Sequence, residues 1–204
     1  MESLKKLPTL ISERIILRPI NMIDCSDMYD YSKRENVGPK AGWMPHQSID
    51  ETKKIIEMMT SEMLTEDNIG VFSIVEKKSL KMIGTVGLHR LNKHKGCVEL
   101  GYVLNPDFWG CGITLEAVTT IIPWIFEDLN LYRLECNHYD FNHQSKRVIE
   151  KAGFTLEGVS RKKIVLQDGK RCDLLNYSIL KDEYDNRELP WQKKLDKTDC
   201  DQTI

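Results

Sequence analysis

Residues 96–114 read GCVELGYVLNPDFWGCGIT, and the rest of the chain is organised around them. The first nine residues form an apolar pattern typical of a strand, which Asn105 and Pro106 end. Two glycines, Gly110 and Gly112, then lead into a helical pattern from about Thr114. The sequence therefore predicts a strand, a loop and the start of a helix, in that order.

The predicted helix start is a candidate anion site. The first amides of a helix have no partner within it, and the helix dipole adds positive potential there, so a pyrophosphate can bind. Because Gly110 and Gly112 lack Cβ atoms, the N–H groups of residues 110–114 could approach phosphate oxygens closely. Gly101, in mid-strand, indicates a bulge or a close backbone approach beside a ligand. The alternative is that the two loop glycines merely make a tight turn.

Length and composition limit the class of protein. The 204 residues suit one domain with a sizeable core, and 41% hydrophobic with 29% charged residues is ordinary for a soluble globular protein. A net charge of −2 gives no general reason to expect nucleic acid or acidic membranes as partners. There is no run of about 18 apolar residues, and the N-terminus lacks the apolar stretch of a secretory signal. We therefore expect a cytoplasmic protein.

Six cysteines are spread along the chain, with no C-x-x-C pair and no Cys/His cluster at zinc-ligand spacing. Free thiols and no metal are expected. Cys111 lies inside the glycine loop, which suggests a nucleophile. However, no histidine is near it in sequence to serve as the base that such a thiol would need.

Before residue 96 the chain alternates between periodic segments and turn residues. The predicted elements are a strand at 13–19, helices at 25–33 and 48–64, and strands at 71–75 and 82–88, which form an antiparallel meander with 97–104. Ile55, Met59 and Met63, at spacing four, are predicted to face the core. Residues 38–46 are rich in glycine and proline and are predicted to be a loop. Trp43 in this loop would be either a lid over a pocket or a hydrophobic plug over the core.

After the glycine loop, an almost wholly apolar helix is predicted to pack on a sheet, with a bend near Thr119 caused by Pro123. The elements that follow are a strand at 131–138, a helix at 142–153, and a hairpin of 154–160 with 171–180. Because a helix connects strands 97–104 and 131–138, that pair should be parallel. From Asp182 the charged tail is predicted to be exposed or loosely docked.

Five segments together resemble the GNAT N-acetyltransferase superfamily, and within it the RimJ/RimL type of ribosomal-protein N-terminal acetyltransferase. They are Glu13–Pro19, Trp43-Met44-Pro45, Glu99-Leu100-Gly101-Tyr102, Trp109-Gly110-Cys111-Gly112, and Asn142–Ser145 with Glu150–Phe154. The resemblance implies an α+β fold with a mostly antiparallel sheet of about seven strands, split at a central parallel pair and flanked by about four helices. Residues 1–182 would form this domain, and residues 183–204 a charged C-terminal extension.

The resemblance also implies that acetyl-CoA binds in the cleft between the two parallel strands. Asn142 would hydrogen-bond the pantetheine arm, and Ser145 would place its hydroxyl near the thioester sulfur. The alternatives are that Asn142 only caps its helix and that Ser145 is a solvated polar residue. Two positions depart from the family pattern, since Trp109 stands where Gln or Arg is usual and Thr114 where Gly or Ala is usual. The expected cofactor-binding residues are Tyr102, Val103, Leu104, Trp109, Gly110, Cys111, Gly112, Ile113, Thr114, Asn142 and Ser145.

The implied reaction is direct attack of an amine on the thioester, with no acyl-enzyme. Glu99 is the best-placed candidate for the base, although it could equally be an ion-pair residue. Asp173 is a second candidate and, with Trp43, a candidate for substrate binding. Residues 162–165 lack the acid that relatives often carry there. Among the histidines, His138 ends a strand near the cleft, and the other four are expected in turns or at a cap.

The acceptor is the least determined part of the prediction. A protein or peptide N-terminus is favoured by the resemblance, and a small amine such as an antibiotic, polyamine or amino acid is the runner-up. A third hypothesis is a non-catalytic acyl-CoA-binding module that regulates a partner. A homodimer is plausible by the same resemblance.

Overall fold

The computed structural model describes residues 7–61 and 68–193, and within them eight strands form one sheet in the order β1-β2-β3-β4-β5-β6-β8-β7. The strands are β1 (Leu10–Ile11), β2 (Ile15–Pro19), β3 (Gly70–Glu76), β4 (Met82–Asn92), β5 (Cys97–Leu104), β6 (Arg133–Tyr139), β7 (Thr155–Val165) and β8 (Arg171–Leu180). All neighbouring strands are antiparallel except β5 and β6, which are parallel. The predicted meander and the predicted parallel pair are both confirmed.

The helices in the described ranges are α1 (Cys25–Ser32), α2 (Gly38–Ala41), α3 (Ile49–Ser61), α4 (Ile113–Pro123), α5 (His143–Ala152) and α6 (Lys181–Asp185). The mixed α+β architecture is confirmed, with slightly more elements than predicted. The additions are the two-residue β1 and the short α2 and α6, which are too short to produce a periodic pattern. Residues 38–41, predicted as loop, are therefore helical. None of the described helices has the length and apolar character needed to cross a bilayer.

The parallel pair separates along its length. β5 and β6 pair only from Cys97 with Arg133 to Leu100 with Cys136. Beyond that point β5 continues along β4 as far as Leu104, and β6 continues along β8 as far as Tyr139. The sheet is therefore split between the outer halves of β5 and β6, and this split positions the site.

Helix α4 connects the two strands and lies in the main core. Val118, Ile121 and Ile122 are fully buried, as expected for a helix that is apolar around most of its circumference. The α-helix continues to Pro123 and is followed by a π-helical turn at Trp124–Asp128. The π-helical turn is the irregularity seen after the proline, and the predicted bend near Thr119, whose carbonyl lacks the N–H of Pro123 as a partner, stays a prediction.

The residues of α3 that face the core differ from the predicted ones. Thr52 and Ile56 are fully buried, whereas Ile55 and Met59 are only half-buried, and Met63 lies outside the described residues. A threonine can occupy this buried position because its hydroxyl lies 2.8 Å from Nδ1 of the buried His46.

Of the two predicted alternatives for the tail, exposed or loosely docked, residues 183–193 are docked on the domain. Tyr184, Leu189 and Gln192 are buried, and the indole Nε1 of Trp191 donates to the carbonyl of Ala152 over 3.2 Å. These apolar side chains cover the end of α5 and the underlying core, although charges dominate the local composition. Residues 194–204 lie outside the described residues.

Candidate functional site

A cavity of about 750 Å³ opens where β5 and β6 separate. Its walls come from β4, β5, β6, the glycine loop and the start of α5. Most of the predicted site residues line it, namely Trp43, Glu99, Tyr102, Val103, Leu104, Trp109, Gly110, Gly112, Ile113, Thr114, Asn142 and Ser145. Cys111 and Asp173 do not line it.

The glycine loop has the geometry that an anion site requires. Gly110 and Gly112 both have a φ of +78°, a left-handed conformation that other residues adopt with strain. A Cβ built on Gly110 would meet no atom within 4 Å, so the space above the loop is open. Helix α4 begins at Ile113 with Gly112 as its N-cap, and no side chain caps it. The first amides of α4 are therefore available to a ligand.

The loop is held by two residues that the sequence did not single out for a role. Arg14 donates from Nη1 to the carbonyl of Cys111 over 2.8 Å and from Nε to Oε2 of Glu116 over 2.6 Å. Oε1 of Glu116 also accepts from the Ser12 hydroxyl and from the backbone N–H of Arg14, both over 2.7 Å. Burial alone would raise the pKa of Glu116, but these hydrogen bonds lower it overall. An ionised Glu116 in the first turn of α4 also suits the helix dipole.

Trp109 forms part of the wall beside the loop. Its indole Nε1 donates to the carbonyl of Leu104 over 2.9 Å, and the ammonium of Lys40 lies 4.6 Å from its ring centroid. The side chain thus ties the end of β5 to the glycine loop. Cys111, by contrast, is exposed, and its thiol lies 3.7 Å from the carbonyl of Trp109.

Asn142 connects α5 to the segment at residues 38–43, which we call the strap. Its Oδ1 accepts the N–H of Ser145 over 3.1 Å, which is the predicted N-cap. Its Nδ2 donates to the carbonyl of Lys40 in the strap over 3.1 Å. The ammonium of Lys40 donates to Gln144 over 3.0 Å. The strap therefore lies across the start of α5, and Trp43 within it is half-buried and lines the cavity.

The side chain of Tyr102 contacts Ser145, a role that the sequence did not predict. The Tyr102 and Ser145 hydroxyls lie 2.8 Å apart, and the Tyr102 hydroxyl also donates to the Ser145 carbonyl over 3.2 Å. Burial, and secondarily the nearby Cys136, raises the pKa of Tyr102 well above its usual range, although the Ser145 hydrogen bond opposes this. The phenol therefore stays protonated. The resemblance implied only that Tyr102 binds the cofactor.

The two predicted acids are placed differently. Glu99 lines the cavity, and its Oε2 accepts from Nη1 of Arg90 over 2.6 Å, so the predicted ion pair is present, whereas its role as a base stays a prediction. Asp173 accepts the backbone N–H of Lys162 over 2.9 Å and pairs with the Lys162 ammonium over 3.2 Å. These contacts lower the pKa of Asp173 and hold it in the β7–β8 hairpin, away from the cavity.

Two histidines line the cavity, and the predicted place of one of them was different. His89 lies in β4 and lines the cavity, so its predicted place in a turn or at a cap is wrong. The predicted strand ended at residue 88, whereas β4 continues to Asn92. His138 also lines the cavity, but it is buried, with Nδ1 2.8 Å from the carbonyl of Tyr139 and Nε2 3.1 Å from the hydroxyl of Tyr177.

The charges that line the cavity are mostly positive. Among the described lining residues, Glu99 is the one carboxylate, whereas the cationic side chains are Lys40, Arg90, Arg147 and Lys151. This balance suits an anionic ligand. Within the described residues there is no group of three histidine, cysteine or acidic side chains that could hold a metal ion.

Comparisons with known proteins agree with this geometry. A family model described as an acetyltransferase (GNAT) domain matches residues 14–155. The chain is 29% identical over 178 residues to "Uncharacterized N-acetyltransferase p20" of Bacillus licheniformis, covering 87% of this chain and 99% of the relative. It is 30% identical over 175 residues to "Uncharacterized N-acetyltransferase YoaA" of Bacillus subtilis (strain 168), covering 85% and 97%.

Solved structures share the fold. One is described as RimL, a ribosomal L7/L12 alpha-N-protein acetyltransferase in complex with coenzyme A. It matches with a TM-score of 0.77 at 18% identity and covers 85% of this chain and 98% of that chain. By its family model, by its relatives and by its fold, the chain belongs to the GNAT family of acetyl-CoA-dependent acetyltransferases.

Proposed function

We propose that this protein transfers the acetyl group of acetyl-CoA to the α-amino group of a protein or peptide N-terminus. The observation that carries the proposal is the single cavity at the split between β5 and β6. It joins the glycine loop at the start of α4 to the face of β4 that bears His89. An anionic donor and an amine acceptor can therefore meet in one cleft.

The donor side of the proposal rests on backbone geometry and charge. The open amides of α4 and the cations Lys40, Arg147 and Lys151 suit the phosphates of coenzyme A. Residues 101–104 of β5 have no strand partner on the side of β6, so that edge can hydrogen-bond an extended ligand such as the pantetheine arm. We assign pyrophosphate binding to the N–H groups of residues 110–114 and pantetheine binding to the backbone of residues 102–104.

In the proposed reaction the protein's own groups orient the reactants and stabilise the charge that develops on them. The amine attacks the thioester carbonyl directly, since the exposed Cys111 does not line the cavity. Successive N–H groups of a regular strand point to opposite edges, so one of those at Tyr102 and Val103 faces the split, and we assign it to the oxyanion. We assign the phenol hydrogen of Tyr102 to Ser145 Oγ, 2.8 Å away, during the reaction, which leaves the Ser145 hydrogen for the departing sulfur.

The acceptor is proposed from the charges on the cavity wall. A polyamine or aminoglycoside carries several positive charges and needs several carboxylates, but the described lining residues include only Glu99, which already accepts from Arg90. A peptide N-terminus brings one ammonium and a hydrogen-bonding backbone, which suit a cleft of this kind. The RimL structure, whose description names a protein α-amino acceptor, supports the same choice.

The test is an acceptor panel with acetyl-CoA, in which free thiol is followed with a thiol reagent. The panel contains peptides with free N-termini, the same peptides with blocked N-termini, and small mono- and polyamines. We expect thiol release with free N-termini and none with blocked ones. Release with a small amine alone would contradict the proposed acceptor, and tight acetyl-CoA binding without any release would favour the non-catalytic module.

We further place the reaction in a reducing compartment such as the cytoplasm. The five cysteines that fall within the described residues are all unpaired, which supports this placement. A homodimer stays a prediction, and light scattering of the full chain at several concentrations tests it.

A further inference from the structure

The floor of the cavity contains two facing glycines. Gly87 of β4 is the cross-strand partner of Gly101 of β5. Alternate residues of a strand share a face, so Thr85 and His89 lie on the same face as Gly87. Their partners on β5 are Val103 and Glu99, and all six residues line the cavity. The floor therefore has a hollow at its centre where two side chains are missing.

The imidazole of His89 lies in that hollow. A Cβ built on Gly87 would be 2.2 Å from Nε2 and 2.8 Å from Cε1 of the ring, and a Cβ built on Gly101 would be 3.7 Å from Cδ2. A side chain at position 87 would displace the ring, because real Cβ atoms do not approach other atoms so closely. The glycine at 87 therefore makes room for a half-buried imidazole on the cavity floor.

Several elements of the cavity wall place charged or titratable groups near His89. Glu99 is its cross-strand partner and supplies a negative charge, partly balanced by the exposed Arg90. The titratable side chains that β6 contributes to the cavity lining are Cys136, His138 and Tyr139. β3 and α3 contribute only the apolar Val71 and Met59 to this wall.

Neither of the other two buried or cavity-lining histidines offers a comparable group. His138 lines the cavity but is buried, and His46 does not line it, whereas His89 lines it and is half-buried. Glu99, which accepts from Arg90, lies beside His89 across the strands. An imidazole, moreover, changes its charge in the neutral range where an amine must be deprotonated.

We propose that His89 is the base that receives the proton of the acceptor ammonium, with Glu99 as a positioning residue, an assignment that rests on the proposed acetyl transfer. An N–H bond of the ammonium breaks and its proton passes to the imidazole, which leaves the lone pair on the amine nitrogen. That pair forms the N–C bond to the thioester carbon, and the C–S bond breaks with its electrons on sulfur. The new amide loses its second proton to water, the thiolate takes up one proton, and His89 returns its own to water.

The test compares His89→Gln with His94→Gln, a matched change at an exposed histidine in the turn between β4 and β5. We expect His89→Gln to lower kcat/KM about 100-fold, in line with the loss of a general base. We also expect it to abolish the rise of kcat/KM with pH and to leave the Kd for acetyl-CoA unchanged. Added imidazole should partly restore the rate of His89→Gly. His94→Gln should resemble the wild type in every measurement.

The outcomes separate this assignment from the proposed function. If the wild type releases thiol, and His89→Gln has a rate within threefold of the wild type and the same pH profile, the role of His89 is overturned but the proposed function is not. No release by the wild type with any acceptor would overturn the proposed function itself. If His89→Gln does not fold, the test uses Gly87→Ala. The added Cβ moves the imidazole out of the hollow but leaves His89 in the chain. We expect at least a tenfold loss of kcat/KM there, and an unchanged profile would equally overturn the assignment.

Discussion

Nη1 of Arg14, just before β2, donates a hydrogen bond to the backbone carbonyl of Cys111, in the middle of the glycine loop, over 2.8 Å. The same side chain pairs with Glu116 in the first turn of α4. One arginine thus fixes the loop to the helix whose open amides we assign to phosphate binding. Arg14 does not line the cavity, so the contact should matter for binding without touching the donor.

Replacing Arg14 with alanine should therefore weaken acetyl-CoA binding. We expect Kd to rise three- to tenfold, or about 0.6–1.4 kcal/mol. The Kd of Arg14→Lys should lie between those of the wild type and Arg14→Ala, because lysine keeps the charge but lacks the planar guanidinium group. Lys53→Ala, which removes an exposed ion pair on α3, serves as the control. Isothermal titration makes the measurement, and an Arg14→Ala variant that binds like the wild type would show that the anchor is dispensable.

Tyr102 and Ser145 should act as one unit. Tyr102→Phe removes the hydroxyl that lies 2.8 Å from Ser145 Oγ but keeps the ring. We expect kcat to fall about tenfold with the Kd for acetyl-CoA nearly unchanged, because the lost contact orients a group used at the departing sulfur. Ser145→Ala should have a similar or larger effect. In the double variant the losses should not add, and full additivity in this cycle would argue that the two hydroxyls work independently.

Two substitutions of Asn142 distinguish the effects of its two hydrogen bonds. Asn142→Asp keeps an oxygen that caps α5 but loses the amide that donates to Lys40, whereas Asn142→Ala loses both. We expect the alanine variant to be about 1 kcal/mol less stable than the wild type and the aspartate variant to lie close to it. Both should bind acetyl-CoA more weakly. Urea unfolding and titration provide the two readouts, and tight binding by both variants would leave Asn142 as a cap alone.

His46 should make folding stability depend on pH. Burial lowers the pKa of His46 below its ordinary value of 6.5, although the charge of Glu51 opposes the shift. The unfolded chain therefore binds more protons than the folded one below about pH 6.5, so the contribution of His46 is complete above that pH and is lost as pH falls through the folded pKa.

His46→Asn keeps a hydrogen-bonding group near Thr52 but does not titrate in this range. We expect it to cost about 1 kcal/mol at pH 7.5 and to flatten the loss of stability between pH 7 and 5. Urea unfolding at several pH values measures both effects. The exposed His94→Asn is the control, and equal slopes for the wild type and His46→Asn would refute the assignment.

The elements that build the donor side could be predicted from the sequence because their signals are local. An apolar run ended by Asn105-Pro106 and two glycines before a helix specify β5, the loop and α4 without reference to distant residues. Asn142 and Gly153 marked the ends of α5 for the same reason. These are the places where backbone chemistry alone decides the structure.

What the sequence did not predict depends on contacts between distant segments. The ring of His89 has room on the cavity floor because Gly87 faces Gly101 across the strands, and register cannot be deduced from one strand. Arg14 and Glu116 are 102 positions apart. Residues 183–193 dock through a few buried side chains in a charged segment, so composition left exposure and loose docking both open.

The central claim is that the open amides at the start of α4 bind the diphosphate of coenzyme A in the split between β5 and β6. A crystal structure of the protein with acetyl-CoA tests it most directly. The account predicts phosphate oxygens within hydrogen-bonding distance of the N–H groups of residues 110–114, and the thioester near Ser145. Coenzyme bound elsewhere, with this helix start vacant in the complex, would contradict it.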